Sequence, residues 1–299
     1  MHQYRAFGLN LESEILLNEL LPCDFEEADV SIHLGEVAPI FNAEHAYRTQ
    51  ITKDTFRMDK ERVARFQVEK GNLVTVQPYP GSPMEVVKLY LLGSCMGAAL
   101  FQRRILPIHG SCVRVGKTSI LLTGRSGAGK STIAAGFLAK GCSILTDDVA
   151  AVRLECPKMP VVSPSYPGQK LWEDAIERAD GVHIKTSLYR TEDNLSKFAV
   201  RRDNCFSQES APLAAVYEII AQQVPCVTLE EIKGSAKVDM LLNNIYRIRM
   251  AYRMGLADWC YLYSMEIAQS LKAYRIVRPA GEHLENQIAQ RILEGLSFA

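Results

Sequence analysis

The chain has 299 residues, 47% of them apolar, and its 34 lysines and arginines balance 34 aspartates and glutamates. That is enough chain for one large globular domain or two, and the zero formal charge argues against a basic nucleic-acid binder. No apolar run approaches a membrane span, residues 1–5 lead into no signal-peptide core, and eight scattered cysteines form no C-x-x-C pair. The expectation is a cytoplasmic protein with reduced thiols, no zinc site, no nucleic-acid partner and no membrane partner.

Residues 1–80 read as a small α+β module. The stretch 12–21 has the composition of a short helix, 29–34 alternates as a strand, and 65–70 and 73–77 alternate about a Gly71-Asn72 turn, a hairpin pattern. His33 and His45 have no clustered partner and read as surface or structural histidines. At residue 81 the pattern turns helical: Ser82 and Glu85 frame a capping box with Pro83 at the first helical position, opening a largely buried helix to about Arg103. The domain boundary is placed there, dividing the chain into 1–80 and 81–299.

A strand at 105–115 then carries His109 toward one edge of a sheet, and a Gly116-Lys117 turn leads into a buried β-branched strand at 118–123. That strand runs into a complete phosphate-cradling pattern, Gly124, Arg125, Ser126, Gly127, Ala128, Gly129, Lys130, Ser131, and then into a helix with Thr132 that Gly141 stops. Glycines let backbone N–H groups close around phosphate oxygens, and the helix N-terminus adds unpaired donors and a positive dipole end. Lys130 reaches the outer phosphates and the Ser131 hydroxyl is placed to ligate the magnesium that accompanies a nucleoside triphosphate. The strand at 143–146 ends in Asp147-Asp148, at the carboxyl end where open parallel sheets bind ligands. Adjacent carboxylates point in different directions there, one toward a magnesium shell and one toward a hydroxyl proton.

From 155 to 210 the chain is polar, with prolines at 157, 160, 164 and 167. The stretch 163–172 reads as an extended segment over the active site, anchored by Trp172, with Lys170 balanced between a substrate-facing role and none. Residues 180–197 lack periodicity and read as mobile or ordered on binding, and His183 as structural. A basic strand at 197–202 either stabilises phosphoryl charge or guards a sheet edge. The strand 213–220 is followed by helices at 235–254 and 257–273 broken at Gly255, a strand at 274–277 and a helix at 282–296. Arg247, Arg249 and Arg253 give a basic face directed to solvent, or to peptide or phosphate. There is no repeat and no low-complexity segment, and nothing opposes a homo-oligomer.

His109 with Gly110, the loop from Gly124 to Ser131, and Asp147-Asp148 together resemble the catalytic domain of HPr kinase/phosphorylase, a bacterial serine kinase on a P-loop, phosphoenolpyruvate-carboxykinase-like fold. His109 lies 21 residues before Lys130 and Asp148 lies 18 after it, the register of that family. The run from 163 to 172 is similar to homologues associated with lasso-peptide biosynthesis, which phosphorylate a precursor peptide. The resemblance implies ATP and Mg2+ as nucleotide and metal, Asp148 as base with Asp147 and His109 supporting it, and a peptide or small-protein acceptor. The family's later glycine-rich segment with its metal-binding glutamate, the arginine used in dephosphorylation, and its N-terminal module have no match here. The fold class is therefore α/β, a kinase domain of that type behind a smaller α+β module, and the function an ATP- and magnesium-dependent serine kinase. A nucleotide-sensing module without transfer, and a kinase/phosphorylase acting on a carrier protein, stay open as alternatives.

Overall fold

The computed structural model describes residues 1–40, 47–155, 158–172, 185–190 and 196–297. His45, His183, the Trp172 side chain and most of 180–197 lie outside that set. The architecture is mixed α/β, in two compact units: Met1–Pro107 with Ile245–Tyr263, and Ile108–Asn244 with Ser264–Ala299.

The first unit holds an eight-stranded sheet in the order β3-β1-β2-β4-β8-β7-β6-β5. Its strands are β1 (His2–Ala6), β2 (Leu9–Ser13), β3 (Leu21–Pro22), β4 (Val30–Leu34), β5 (Tyr47–Ile51), β6 (Thr55–Lys60), β7 (Ala64–Glu69) and β8 (Leu73–Pro78). Every second side chain is buried, as the two-residue strand period requires: Leu9 and Leu11, Val30 and Ile32, Phe66 and Val68, Val74 and Val76. The helix expected at 12–21 is absent: Glu12 and Ser13 close β2, whose pairing with β1 and β4 outweighs local helical propensity. The β7–β8 hairpin is present, its connection starting one residue early, with Lys70 as well as Gly71 at positive φ.

The helical run comprises α1 (Met84–Tyr90), a π-helical turn Leu91–Cys95, and α2 (Met96–Gln102). The expected capping box does not form, because the Ser82 hydroxyl donates to the Tyr79 carbonyl (2.7 Å) and caps nothing. A second expectation is also corrected: by length and composition Met84–Gln102 is apolar enough to cross a membrane, with mean hydropathy 1.4. Its apolar surface packs on β7, and 67% of its most apolar window is buried within the protein. The run belongs with the first unit, so the compact units divide at Pro107/Ile108 and not at residue 80, and 245–263 returns to the first unit.

The second unit is built on β9 (Leu106–Val115), β10 (Thr118–Thr123), β11 (Ser143–Thr146), β17 (Ala211–Gln222), β18 (Thr228–Glu231) and β19 (Lys272–Pro279). Pairings run β11-β9-β10-β17-β19-β18, with β10, β17 and β19 parallel and β9 and β18 antiparallel to them. β9 is thus internal to the sheet and not an edge. β11 opposes β9 and so runs with β10, which brings the carboxyl ends of β10 and β11 to the same end of the sheet. A hairpin, β12 (Val149–Glu155) and β13 (Met159–Ser163), links β9 to the start of β17, and β14 (Gly168–Trp172), β15 (Lys185–Arg190) and β16 (Ser196–Arg201) form a separate sheet in the order β14-β16-β15. One face of the large sheet, with Val113, Ile120, Leu122, Tyr217 and Ile219, packs Ile133 and Phe137 of α3 (Lys130–Leu138) and Ile288 and Ile292 of the C-terminal helix Glu285–Ser297.

The helix expected over 235–254 is two, α4 (Ala236–Asn243) and α5 (Ile248–Arg253), separated where Arg247 takes φ +50. Tertiary hydrogen bonding explains the break: the freed Asn244 carbonyl accepts the His109 N–H at 2.8 Å. The next helix, α6 (Ala257–Ser270), stops short of 273 because β19 begins at Lys272 and pairs with β17. The C-terminal helix is α7.

Candidate active site

β10 ends at Thr123 and the chain turns at Gly124, with φ +130; a Cβ there would lie 2.3 Å from the Ile219 carbonyl oxygen on the adjacent parallel strand. Only glycine fits so close an approach at that φ. Arg125 and Ser126 are exposed, Ala128 is buried, and Gly129, at φ +101, precedes the first residue of α3, Lys130. The N–H groups at the start of a helix are donors suited to an anion. Lys130 is 7% exposed, and its ammonium donates to the carbonyls of Gly124 (2.9 Å) and Arg125 (3.0 Å), folded against its own loop.

Asp147 follows β11 and is buried. Its carboxylate accepts from the hydroxyls of Ser111 and Ser131 (2.9 and 3.1 Å from Ser131 to its two oxygens) and from the Lys170 backbone N–H (2.8 Å). Asp148 takes φ +81, a conformation costing an L-residue of order 1 kcal/mol, and its carboxylate has partners other than those of Asp147. Its Oδ2 accepts from the Lys170 ammonium at 2.7 Å and its Oδ1 lies 3.4 Å from His109 Nδ1. His109 Nδ1 also donates to the Asp148 carbonyl at 3.0 Å, and that carbonyl accepts the Gly110 N–H. Burial disfavours charge on Asp148, but the Lys170 ammonium and the His109 hydrogen bond outweigh it and hold the carboxyl well below the usual carboxylate range.

A second layer fixes this arrangement. Gln169, fully buried, donates to the Ser131 carbonyl (2.7 Å) and accepts from Arg202 (3.1 Å), so β14 is fastened to the start of α3. Of the basic strand expected at 197–202, Arg202 stands behind the site and Arg201 pairs with Asp203 at 2.6 Å. Arg247 and Arg253 contact Tyr246 and Thr49 in the other unit.

His109, Ser126, Gly127, Gly129, Lys130, Ser131, Thr132, Asp147 and Asp148 thus line one cleft, together with Ser111 and Lys170. Sequence reasoning does not single out Ser111 or Gln169; both lie close in sequence to residues that it does, but only their contacts with Asp147 and Ser131 reveal them. Arg278 escapes it as well: from β19 it donates to the Ala128 carbonyl at 3.1 Å and borders a second cleft across the loop, with Thr132, Ile133 and His283. No group of three histidine, cysteine or acidic residues suited to a metal occurs among the described residues. The Ser131 hydroxyl and the Asp147 carboxylate do place hard oxygen donors side by side, the donor chemistry magnesium takes when phosphate and water complete its shell.

In structure the chain is similar to the HPr(Ser) kinase/phosphatase from Coxiella burnetii, at 12% identity and TM-score 0.32, over 64% of this chain and 91% of that one. No family model matches, and no curated protein matches in sequence. At that identity and score the likeness assigns no residue a role.

Proposed function

We propose that this protein is a phosphotransferase, with an HPr-kinase/phosphoenolpyruvate-carboxykinase-like P-loop domain, that moves the γ-phosphoryl group of ATP to a serine hydroxyl of a peptide. The observation that carries the reading is the contact of Ser131, on the phosphate loop, with Asp147, next to a second carboxylate facing the same cleft. A nucleotide sensor has use for the loop and Asp147 but none for Asp148 and its two side-chain partners.

In this reading the loop N–H groups and the start of α3 bind the phosphates, and Lys130 leaves its carbonyl partners to neutralise the outer ones. The cleft beside Arg278 takes the nucleoside. A magnesium ion would be held by Ser131 and Asp147 and would supply charge neutralisation to the β- and γ-phosphate oxygens. Ser111 and the Lys170 backbone N–H orient Asp147 for that task. Asp148, ionised across the physiological range, accepts the hydrogen bond of the incoming serine hydroxyl, and His109 fixes its direction. A strong base is not required, because the transition state of phosphoryl transfer is loose and most of the catalysis is positioning and electrostatics. The acceptor is taken as a short extended peptide rather than a folded carrier on the resemblance of 163–172 to lasso-associated kinases.

Asp148→Asn tests the assignment, since it keeps shape and removes charge. Nucleotide affinity by calorimetry should stay near wild type while phosphoserine formation falls at least ~10²-fold, the lower range for a positioned acid or base. Equal loss of binding and transfer would make Asp148 a metal ligand, and an unimpaired variant would remove it from the mechanism.

A further inference from the structure

Two lysines line the cleft among its described residues, and they come from different elements: Lys130 from the phosphate loop and Lys170 from β14. Lys130 is committed to the loop's own carbonyls and is placed for the phosphates that the loop cradles. Lys170 is held differently. Its backbone N–H is tied to Asp147 at 2.8 Å, its neighbour Gln169 to the Ser131 carbonyl at 2.7 Å, and its ammonium meets Asp148 Oδ2 at 2.7 Å with the side chain one quarter exposed to the cleft. The backbone of Lys170 is therefore fixed relative to the loop helix, while its charged end sits on the one carboxylate that the acceptor hydroxyl needs.

We propose that Lys170 is a catalytic residue: its ammonium moves from Asp148 to the oxygens of the phosphoryl group in flight, neutralising that group on the side facing the acceptor. The proposal rests on the phosphotransfer reading and adds to it a cation that reading does not supply. Both halves of the exchange are favourable. An incoming triphosphate offers Lys170 several anionic oxygens, and a charge-assisted contact with phosphate replaces the charge-assisted contact with Asp148. Asp148 in turn loses the partner on Oδ2 and gains the serine hydroxyl as donor there. In the step the serine oxygen forms its bond to the γ-phosphorus, the bond from that phosphorus to the β–γ bridging oxygen breaks, the hydroxyl proton passes to Asp148, and ADP leaves. Lys170 keeps its protons throughout and acts on charge alone, as preorganised cations do in phosphoryl transfer.

The role predicts binding selective for the transition state, read with ADP, magnesium and aluminium fluoride as a mimic of the transferring group. Wild type should bind ADP more tightly when fluoride and aluminium are added. Lys170→Met should bind ADP within about 3-fold of wild type, lose at least ~10-fold of the aluminium fluoride enhancement, and transfer phosphoryl at least ~10²-fold more slowly, the usual effect of deleting one preorganised donor. Lys170→Arg should recover part of both, and Lys170→Gln, whose amide still donates to Asp148, carries the same test if the methionine variant does not fold. Neutral variants that keep the enhancement and the transfer rate would overturn the role of Lys170 and leave the kinase reading standing. A wild type that binds ADP yet shows neither enhancement nor transfer would overturn the kinase reading and Lys170 with it.

Discussion

At the residue scale, the site divides into groups that the sequence announces and groups that only the fold assembles. The phosphate loop is legible because its chemistry is local: within the eight residues from Gly124 to Ser131, two glycines, a lysine and a serine stand at the set positions that let the backbone close on an anion. Asp147 and Asp148 are legible as a pair of diverging carboxylates after a short strand, but the φ of +81 at Asp148 is not disclosed by composition. Ser111, Gln169 and Arg278 leave no sequence signal, since each acts through a partner set by strand register. The Lys170 ammonium and Asp148 meet across 22 residues of sequence, and the Arg278 guanidinium meets the loop across 150. Lys130 gives the residue-scale prediction. Lys130→Ala removes the only lysine on the loop and should weaken ATP binding at least ~10-fold by calorimetry, the worth of a charge-assisted contact of about 1.5–3 kcal/mol. Wild-type affinity in that variant would mean that the loop binds no triphosphate.

At the element scale, the strands and helix that present the loop match their sequence reading closely, and the mismatches fall where tertiary contacts override local preference. β10 and β11 begin and end where alternation and β-branching place them. The helix read over 235–254 fails at Asn244 because its carbonyl is worth more to His109 than to the next turn, and the one read over 12–21 fails because its first residues are taken by a strand pair. The run Met84–Gln102 reads correctly as buried helix but falls on the other side of the boundary, since punctuation at Pro83 marks where an element starts and not what it packs on. The strand-to-loop junction carries its own prediction. In Gly124→Ala the new methyl would press on the Ile219 carbonyl at 2.3 Å in a backbone conformation that alanine avoids. The variant should lose roughly 2–4 kcal/mol of stability, combining backbone strain with overpacking, and show it as a lowered denaturant midpoint. An unchanged midpoint would mean that β10 and β17 part easily at the loop.

At the scale of the whole molecule, the second unit contains every residue of the proposed mechanism, from His109 on β9 to Arg278 on β19. The mixed α/β class is legible from the alternation of strand and helix patterns. The eight-stranded sheet of the first unit is not, because several of its strands are short and find partners far along the chain. The acceptor belongs to this scale too. A peptide substrate predicts that short serine-bearing peptides are modified without a folded carrier, whereas modification of a carrier protein alone would keep the transfer chemistry and replace the peptide. The most direct measurement tracks the γ-phosphate itself: wild-type protein is incubated with γ-labelled ATP, magnesium and a serine-rich peptide library, with products read by mass spectrometry. Phosphoserine on peptide, formed in step with ADP, is the predicted result. ATP bound at the loop with its label never reaching a serine, on peptide or protein, would contradict the account and leave a nucleotide sensor.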